Sequence, residues 1–130
     1  MPTASILVVD DDKLIRWSVS VVLGQAGYRV REAATGKEGL AAVLEHRPDL
    51  VLLDIALPDL DGFTILETIR KLRPDLPVLM MTADATNETA RQAARLGARG
   101  QLDKPFDPAL LQATVSEALK PASPSDQSNG

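Results

Sequence analysis

Three stretches of the chain are apolar at every position and then stop at a polar group. They are Ile6-Leu7-Val8-Val9 before Asp10, Leu50-Val51-Leu52-Leu53 before Asp54, and Val78-Leu79-Met80-Met81 before Thr82. Runs this short, bounded by turn residues, predict strands covered on both faces. Tyr28 to Ala33 alternates less cleanly and reads as a more exposed, edge-like strand, and a fifth short strand is expected over Arg99 to Leu102. Between the strands the apolar positions fall at helical spacing. A first helix, N-capped by Asp12, carries Ile15, Val19, Val22 and Ala26 on one face, with Gly27 suited to its C-terminal cap. Thr35-Gly36-Lys37-Glu38 has capping-box spacing and opens a second helix with Leu40, Val43 and Leu44 inward. The third starts at Asp61-Gly62, presents Ile65, Leu66, Ile69 and Leu72, and is stopped by Pro74. The fourth, about Asn87 to Leu96, offers only Ala90, Ala93 and Ala94 to the core and ends at Gly97. With that small apolar face it is expected to be the least firmly anchored helix. Asp107-Pro108, an N-cap followed by proline at the first helical position, opens the last helix with Leu111, Val115 and Ala118.

Five strands alternating with five helices, without internal repeat, specify an α/β fold: a doubly wound parallel sheet with helices on both faces. Right-handed crossovers lead to strand order 2-1-3-4-5, the flavodoxin-like arrangement. In that order the chain reverses direction between strands 1 and 3, and ligands bind at such a switch point, outside the carboxyl ends of the strands. Asp10, Asp11, Asp54, Thr82 and Lys104 are thereby expected at one edge.

Composition narrows the chemistry. The 130 residues suit one domain, and 45% hydrophobic with 25% charged residues is ordinary for a soluble globular chain. A net charge of −4 argues against nucleic acid or an anionic membrane as a direct partner. The absence of cysteine removes disulfides, thiolate metal sites and thiol catalysis, and fits a cytoplasmic location. No signal pattern or membrane-length apolar run is present. The lone histidine, His46, excludes a multi-histidine metal site and is expected on the surface near a helix end.

Three carboxylates in one pocket repel one another unless protonated or joined by a cation. An all-oxygen set suits Mg²⁺, with Mn²⁺ as the alternative ion. A carboxylate is also a competent nucleophile toward phosphorus. Phosphoryl transfer then needs positioning and charge neutralisation, which Lys104, the Thr82 hydroxyl and a metal can supply.

Several motifs occur together in order: Val8-Val9-Asp10-Asp11-Asp12, Asp54 with Pro58 and Asp61-Gly62, Met81-Thr82-Ala83, and Lys104-Pro105-Phe106. Over roughly Ser5 to Leu119 the chain resembles the CheY-like receiver domains of bacterial two-component response regulators. The resemblance implies a receiver over residues 1–120 followed by a disordered tail or the start of a linker over 121–130. It implies that Asp54 accepts a phosphoryl group from a sensor histidine kinase or phosphotransfer protein. Asp10, Asp11, Asp54 and the Ala56 backbone carbonyl would hold the metal, Lys104 would contact the phosphoryl group, and Thr82 would turn toward it. The Lys104-Pro105 bond is expected to be cis, as is frequent in the family. Such a module is not a turnover enzyme; it catalyses only its own phosphoryl transfer and slow dephosphorylation. Three residues before the lysine, where the family usually has Tyr or Phe as a switch residue, this chain has Gln101. The weakly held fourth helix, strand 5 and the last helix form the face expected to change on phosphorylation. That face would regulate an output domain, including one for transcription, or pair with a second copy. Ile15-Arg16-Trp17 and Lys104-Pro105-Phe106-Asp107 are also similar to receivers of nitrogen-regulator-type activators, and Trp17 is expected on the outer side of the first helix.

Two other readings use the same residues. In an aspartyl-nucleophile phosphohydrolase Asp10 would attack and Asp12 would be the acid-base, but the acidic pair that family needs near its lysine is missing from Asp103-Lys104-Pro105. In a receiver-like scaffold that is never phosphorylated, Gln101 would mark a chain without a switch. A nucleotide-binding fold is disfavoured because no glycine-rich loop follows strand 1.

Overall fold

The alternation of apolar runs and helical stripes folds into ten elements in a computed structural model that describes residues 3–120. They are β1 (Ser5–Val9), α1 (Lys13–Gln25), β2 (Arg29–Ala33), α2 (Gly36–His46), β3 (Leu50–Asp54), α3 (Gly62–Leu72), β4 (Val78–Thr82), α4 (Asn87–Arg95), β5 (Gly100–Asp103) and α5 (Pro108–Leu119). The strands form one parallel sheet in the order β2-β1-β3-β4-β5. The expected tail over 121–130 lies outside the described residues. Among those described, no helix is long and apolar enough to cross a membrane.

The period of two along each strand divides the core into two layers. Leu7, Val9, Val51, Leu53, Val78 and Met80 face α2, α3 and α4. Ile6, Val8, Leu50, Leu52, Leu79 and Met81 face α1 and α5. This is why β1, β3 and β4 read as unbroken apolar runs: both faces are covered. β2 is an edge strand with exposed Arg29, Arg31 and Glu32, as its weaker pattern suggested.

The helices bury fewer residues than their stripes offered. Ala26, Leu44 and Leu72, expected inward, are exposed: Ala26 is the C-cap of α1 and Leu72 the last residue of α3, while Leu44 lies beside the fully buried Val43, off the stripe that Gly36, Gly39 and Val43 bury. Leu23 and Phe63 fill the core instead. In α4, Ala90 and Ala94 are also exposed and Ala93 alone of its residues is buried. One methyl contributes roughly 1 kcal/mol, against about 1.5–3 kcal/mol for each of Phe63, Ile65, Leu66 and Ile69 on α3. α4 is thus the weakly held helix the sequence suggested. Gly27 and Gly97 close α1 and α4 with φ of 98°, a conformation that disfavours any side chain.

Candidate functional site

β3 and β4 end on a polar residue, and β1 runs directly into one, at the same edge. The parallel register sets Leu53 beside Val9 and Asp54 beside Met81, so the chain leaves β1 and β4 on either side of Asp54. Asp10 is fully buried, Asp54 and Thr82 nearly so, while Asp11 is exposed. One carboxylate oxygen from each of Asp10, Asp11 and Asp54 lies within 4.8 Å of the others. Lys104, delivered by the chain just after β5, reaches between two of them. Its Nζ stands 2.5 Å from Asp10 Oδ2 and 3.3 Å from Asp54 Oδ2. The Lys104 backbone N–H donates to the Thr82 carbonyl at 2.8 Å, tying this turn to the end of β4. The Lys104-Pro105 peptide is cis.

The remaining polar atoms are divided among these groups. Asp10 Oδ1 accepts from the Asp12 N–H at 2.9 Å, and Asp54 Oδ1 from the Ala56 N–H at 3.2 Å. Asp12 points away from the cluster and caps α1 through the N–H groups of Leu14 and Ile15. The Thr82 hydroxyl accepts from the Asp84 N–H at 3.0 Å, which leaves its own proton to be donated elsewhere. Gln101 is half-buried on β5, with its amide nitrogen 3.5 Å from the Thr89 hydroxyl of α4. Trp17 is 61% exposed on α1, and His46 is the exposed last residue of α2.

Burial raises the Asp54 carboxyl above its usual range, and the Asp10 charge adds to the rise, while Lys104 opposes it. Burial alone would lower Lys104. Its hydrogen bond to Asp10 and the charges of Asp54 and Asp10 outweigh that and hold the ammonium above the ordinary lysine value. The site therefore combines a carboxylate that resists charge with an ammonium that keeps it. A convergent all-oxygen set with one exposed member fits a hard divalent ion that retains several waters.

Arg16 was not singled out as part of this site. Its guanidinium donates to the Asp10 carbonyl at 2.7 Å and to Glu32 at 3.1 Å, bracing the end of β1 against β2. Its position one helical turn after Asp12 was the available signal, since that spacing returns a side chain toward the start of α1.

Residues 6–116 match the family model of the response regulator receiver domain. The DNA-binding transcriptional regulator NtrC of a Bradyrhizobium species is 41% identical over 119 residues, covering 92% of this chain and 25% of that protein. The DNA-binding dual master transcriptional regulator RpaA of a Synechocystis species is 40% identical over 117 residues, covering 88% of this chain and 48% of that protein. The chain spans about a quarter to a half of the length of these curated relatives. The crystal structure of a CheY-like response regulator receiver domain protein from Methanospirillum hungatei superposes with a TM-score of 0.87 at 38% identity. It covers 91% of this chain and 94% of its own.

Proposed function

Because the chain belongs to the response regulator receiver family, a two-component signalling module, we propose that Asp54 is its phosphoacceptor. The observation that carries this is the convergence of Asp10, Asp11 and Asp54 with Lys104 seated between Asp10 and Asp54. An Asp54 oxygen attacks the phosphorus of a phosphohistidine or small acyl phosphate. A P–O bond forms to the carboxylate as the bond to the donor's nitrogen or oxygen breaks, and the donor leaves with that electron pair. Lys104 follows the charge onto the transferred group, and the Thr82 hydroxyl has a proton to donate to it. Mg²⁺ (or Mn²⁺), held by Asp10, Asp11, Asp54 and the Ala56 carbonyl, would neutralise the equatorial oxygens when bound.

The donor on this reading is a sensor histidine kinase or phosphotransfer protein, in the cytoplasm. The aspartyl phosphate is lost again by slow hydrolysis, without multiple-turnover chemistry. The signal leaves through α4, β5 and α5 to an output domain or a second copy, not through direct contact with nucleic acid. α4 is the element that a few kcal/mol can move, because Ala93 is its buried anchor. Gln101 in place of an aromatic leaves Thr82 as the main lever, so the shift is expected to be small. Residues 1–120 form the receiver on this reading, and 121–130 the tail or linker.

The hydrolase reading has less support. Asp10 is fully buried whereas Asp54 keeps a little exposure, and Asp12 is occupied as the α1 cap. The test is labelling by an acyl phosphate with Mg²⁺. Wild-type protein should take one phosphoryl group, and Asp54→Asn or chelation of the metal should abolish it. Undiminished labelling of Asp54→Asn would overturn the assignment. For the output face, amide exchange over 87–104 should change when beryllofluoride binds, and an unchanged profile would remove that face from the account.

A further inference from the structure

We propose that Asp59 is a positioning residue for the cation site, acting through the Ala56 carbonyl; this rests on the metal reading given above. Seven residues, 55–61, join β3 to α3. The base of this loop is closed by an antiparallel bridge between Ala56 and Asp61 and by the Gly62 N–H donating to the Ile55 carbonyl at 2.8 Å. At the base, the Ala56 N–H is held by Asp54 itself. A second anchor, further along the loop, would add to the control of the carbonyl on the other side of Ala56.

Asp59 supplies that anchor from three residues away. Its two carboxylate oxygens accept from the backbone N–H groups of Gly36 at 2.8 Å and Lys37 at 3.0 Å, the first two residues of α2. The Thr35 hydroxyl, the helix's own cap, takes the Glu38 N–H at 3.1 Å. The free donors of this helix end are thus divided between a local cap and a carboxylate from the phosphoacceptor loop. The Gly36 N–H, followed by that of Lys37, holds the Asp59 carboxyl below its usual range, so it is a charged acceptor at the positive end of a helix. The approach is close and glycine suits it. A Cβ on Gly36 would lie 3.2 Å from Asp59 Oδ1, 3.1 Å from Leu60 Cβ and 2.6 Å from Ile65 Cδ1, the end of a flexible side chain. Leu57 and Leu60, on either side of the anchor, pack against the core beneath α2 and α3. The loop is therefore held at its base, by Asp54, Ala56, Asp61 and Gly62, and along its length by Asp59 on α2. Along the chain, the Ala56 carbonyl lies between the Ala56 N–H and Asp59.

A residue that only capped α2 would stabilise the helix and leave metal affinity alone. Four proteins separate the two roles by calorimetric titration with Mg²⁺: wild type, Asp59→Ala, Asp59→Asn and Thr35→Ala. Asp59→Ala should weaken Mg²⁺ about tenfold, the scale seen when a group that orients a metal ligand is removed. Asp59→Asn keeps one acceptor oxygen and should fall in between. Thr35→Ala removes a cap from the same helix end without touching the loop, and should stay within about twofold of wild type. In metal-free protein, Asp59→Ala should also speed amide exchange at Gly36, Lys37, Leu57 and Leu60. Wild-type affinity in Asp59→Ala, or an equal loss in Thr35→Ala, would overturn the proposal. A wild-type protein that binds no Mg²⁺ would overturn the metal reading and this proposal with it, whereas binding by wild type and all variants alike would overturn this proposal alone.

Discussion

Lys104→Met keeps the aliphatic stem and removes the charge that separates Asp10 from Asp54, so it isolates the electrostatics of the site. In wild-type protein the ammonium is 2.5 Å from one carboxylate and 3.3 Å from the other, and its side chain is 13% exposed. Without it, two ionised groups within 4.8 Å repel by about 3.5 kcal/mol at an effective dielectric of about 20. Taking one partner from a buried pair generally costs about 3–5 kcal/mol, which agrees. Protonation sets a ceiling. Keeping one carboxyl neutral at pH 7, against its ordinary 3.8, costs about 4.4 kcal/mol, and at pH 5 about 1.6 kcal/mol. Urea denaturation followed by circular dichroism should therefore show Lys104→Met less stable by about 3 kcal/mol at pH 7 without metal. The deficit should be below about 2 kcal/mol at pH 5, and millimolar Mg²⁺ should restore much of it at pH 7. A loss under about 0.5 kcal/mol at pH 7, or one that does not change with pH, would show that the carboxylates are not held together by this lysine.

Two glycine substitutions should have opposite signs. A Cβ on Gly62 would meet the Asp54 carbonyl at 2.6 Å and the Ile55 Cα at 2.6 Å, both backbone, so Gly62→Ala should lose about 2–3 kcal/mol and weaken Mg²⁺ binding. Gly24, in α1, has open space around it, and Gly24→Ala should gain about 0.5–1 kcal/mol in the same denaturation assay. For pH, the raised Asp54 carboxyl means the folded chain keeps a proton that the unfolded chain has lost. Its contribution to stability is full below about pH 3.8 and declines as pH rises through the native value, a slope Asp54→Asn should remove. Lys104 is also raised, so its contribution holds below about pH 10.5 and is lost as pH climbs through its native value, which Lys104→Met should abolish. Thermal midpoints across both windows check the two signs.

The strands and their polar termini were legible because a strand buried on both faces leaves no ambiguity of period: Leu50-Val51-Leu52-Leu53 reads the same whichever face is counted. Helix faces were less so. Leu44 and Leu72 continue their apolar stripes in sequence, but Leu44 stands beside the fully buried Val43 and Leu72 at the end of α3, and a stripe cannot report how wide or how long the face that covers it is. Caps were legible where one residue type decides, as with Asp12 and Asp107. Thr35 does cap α2, but Glu38 meets the Thr35 hydroxyl rather than its backbone N–H, so the capping box implied by its spacing is half formed. The complete box is at Thr86 and Thr89, where a threonine does the work usually given to Glu or Gln. Arg16 carried a local signal in its spacing from Asp12, whereas Asp59 could not be read at all in its tertiary role. It acts on backbone groups that only folding brings near, and Asp59 and Gly36 are separated by 23 positions in the chain.

The most direct test of the central claim is the location of the phosphate. Wild-type protein labelled with an acyl phosphate and Mg²⁺, trapped by borohydride reduction and digested, should carry the mark on Asp54 in the peptide spanning β3. The Asp10 peptide should be unmodified. A mark on Asp10, or stable labelling that persists in Asp54→Asn, would contradict the account.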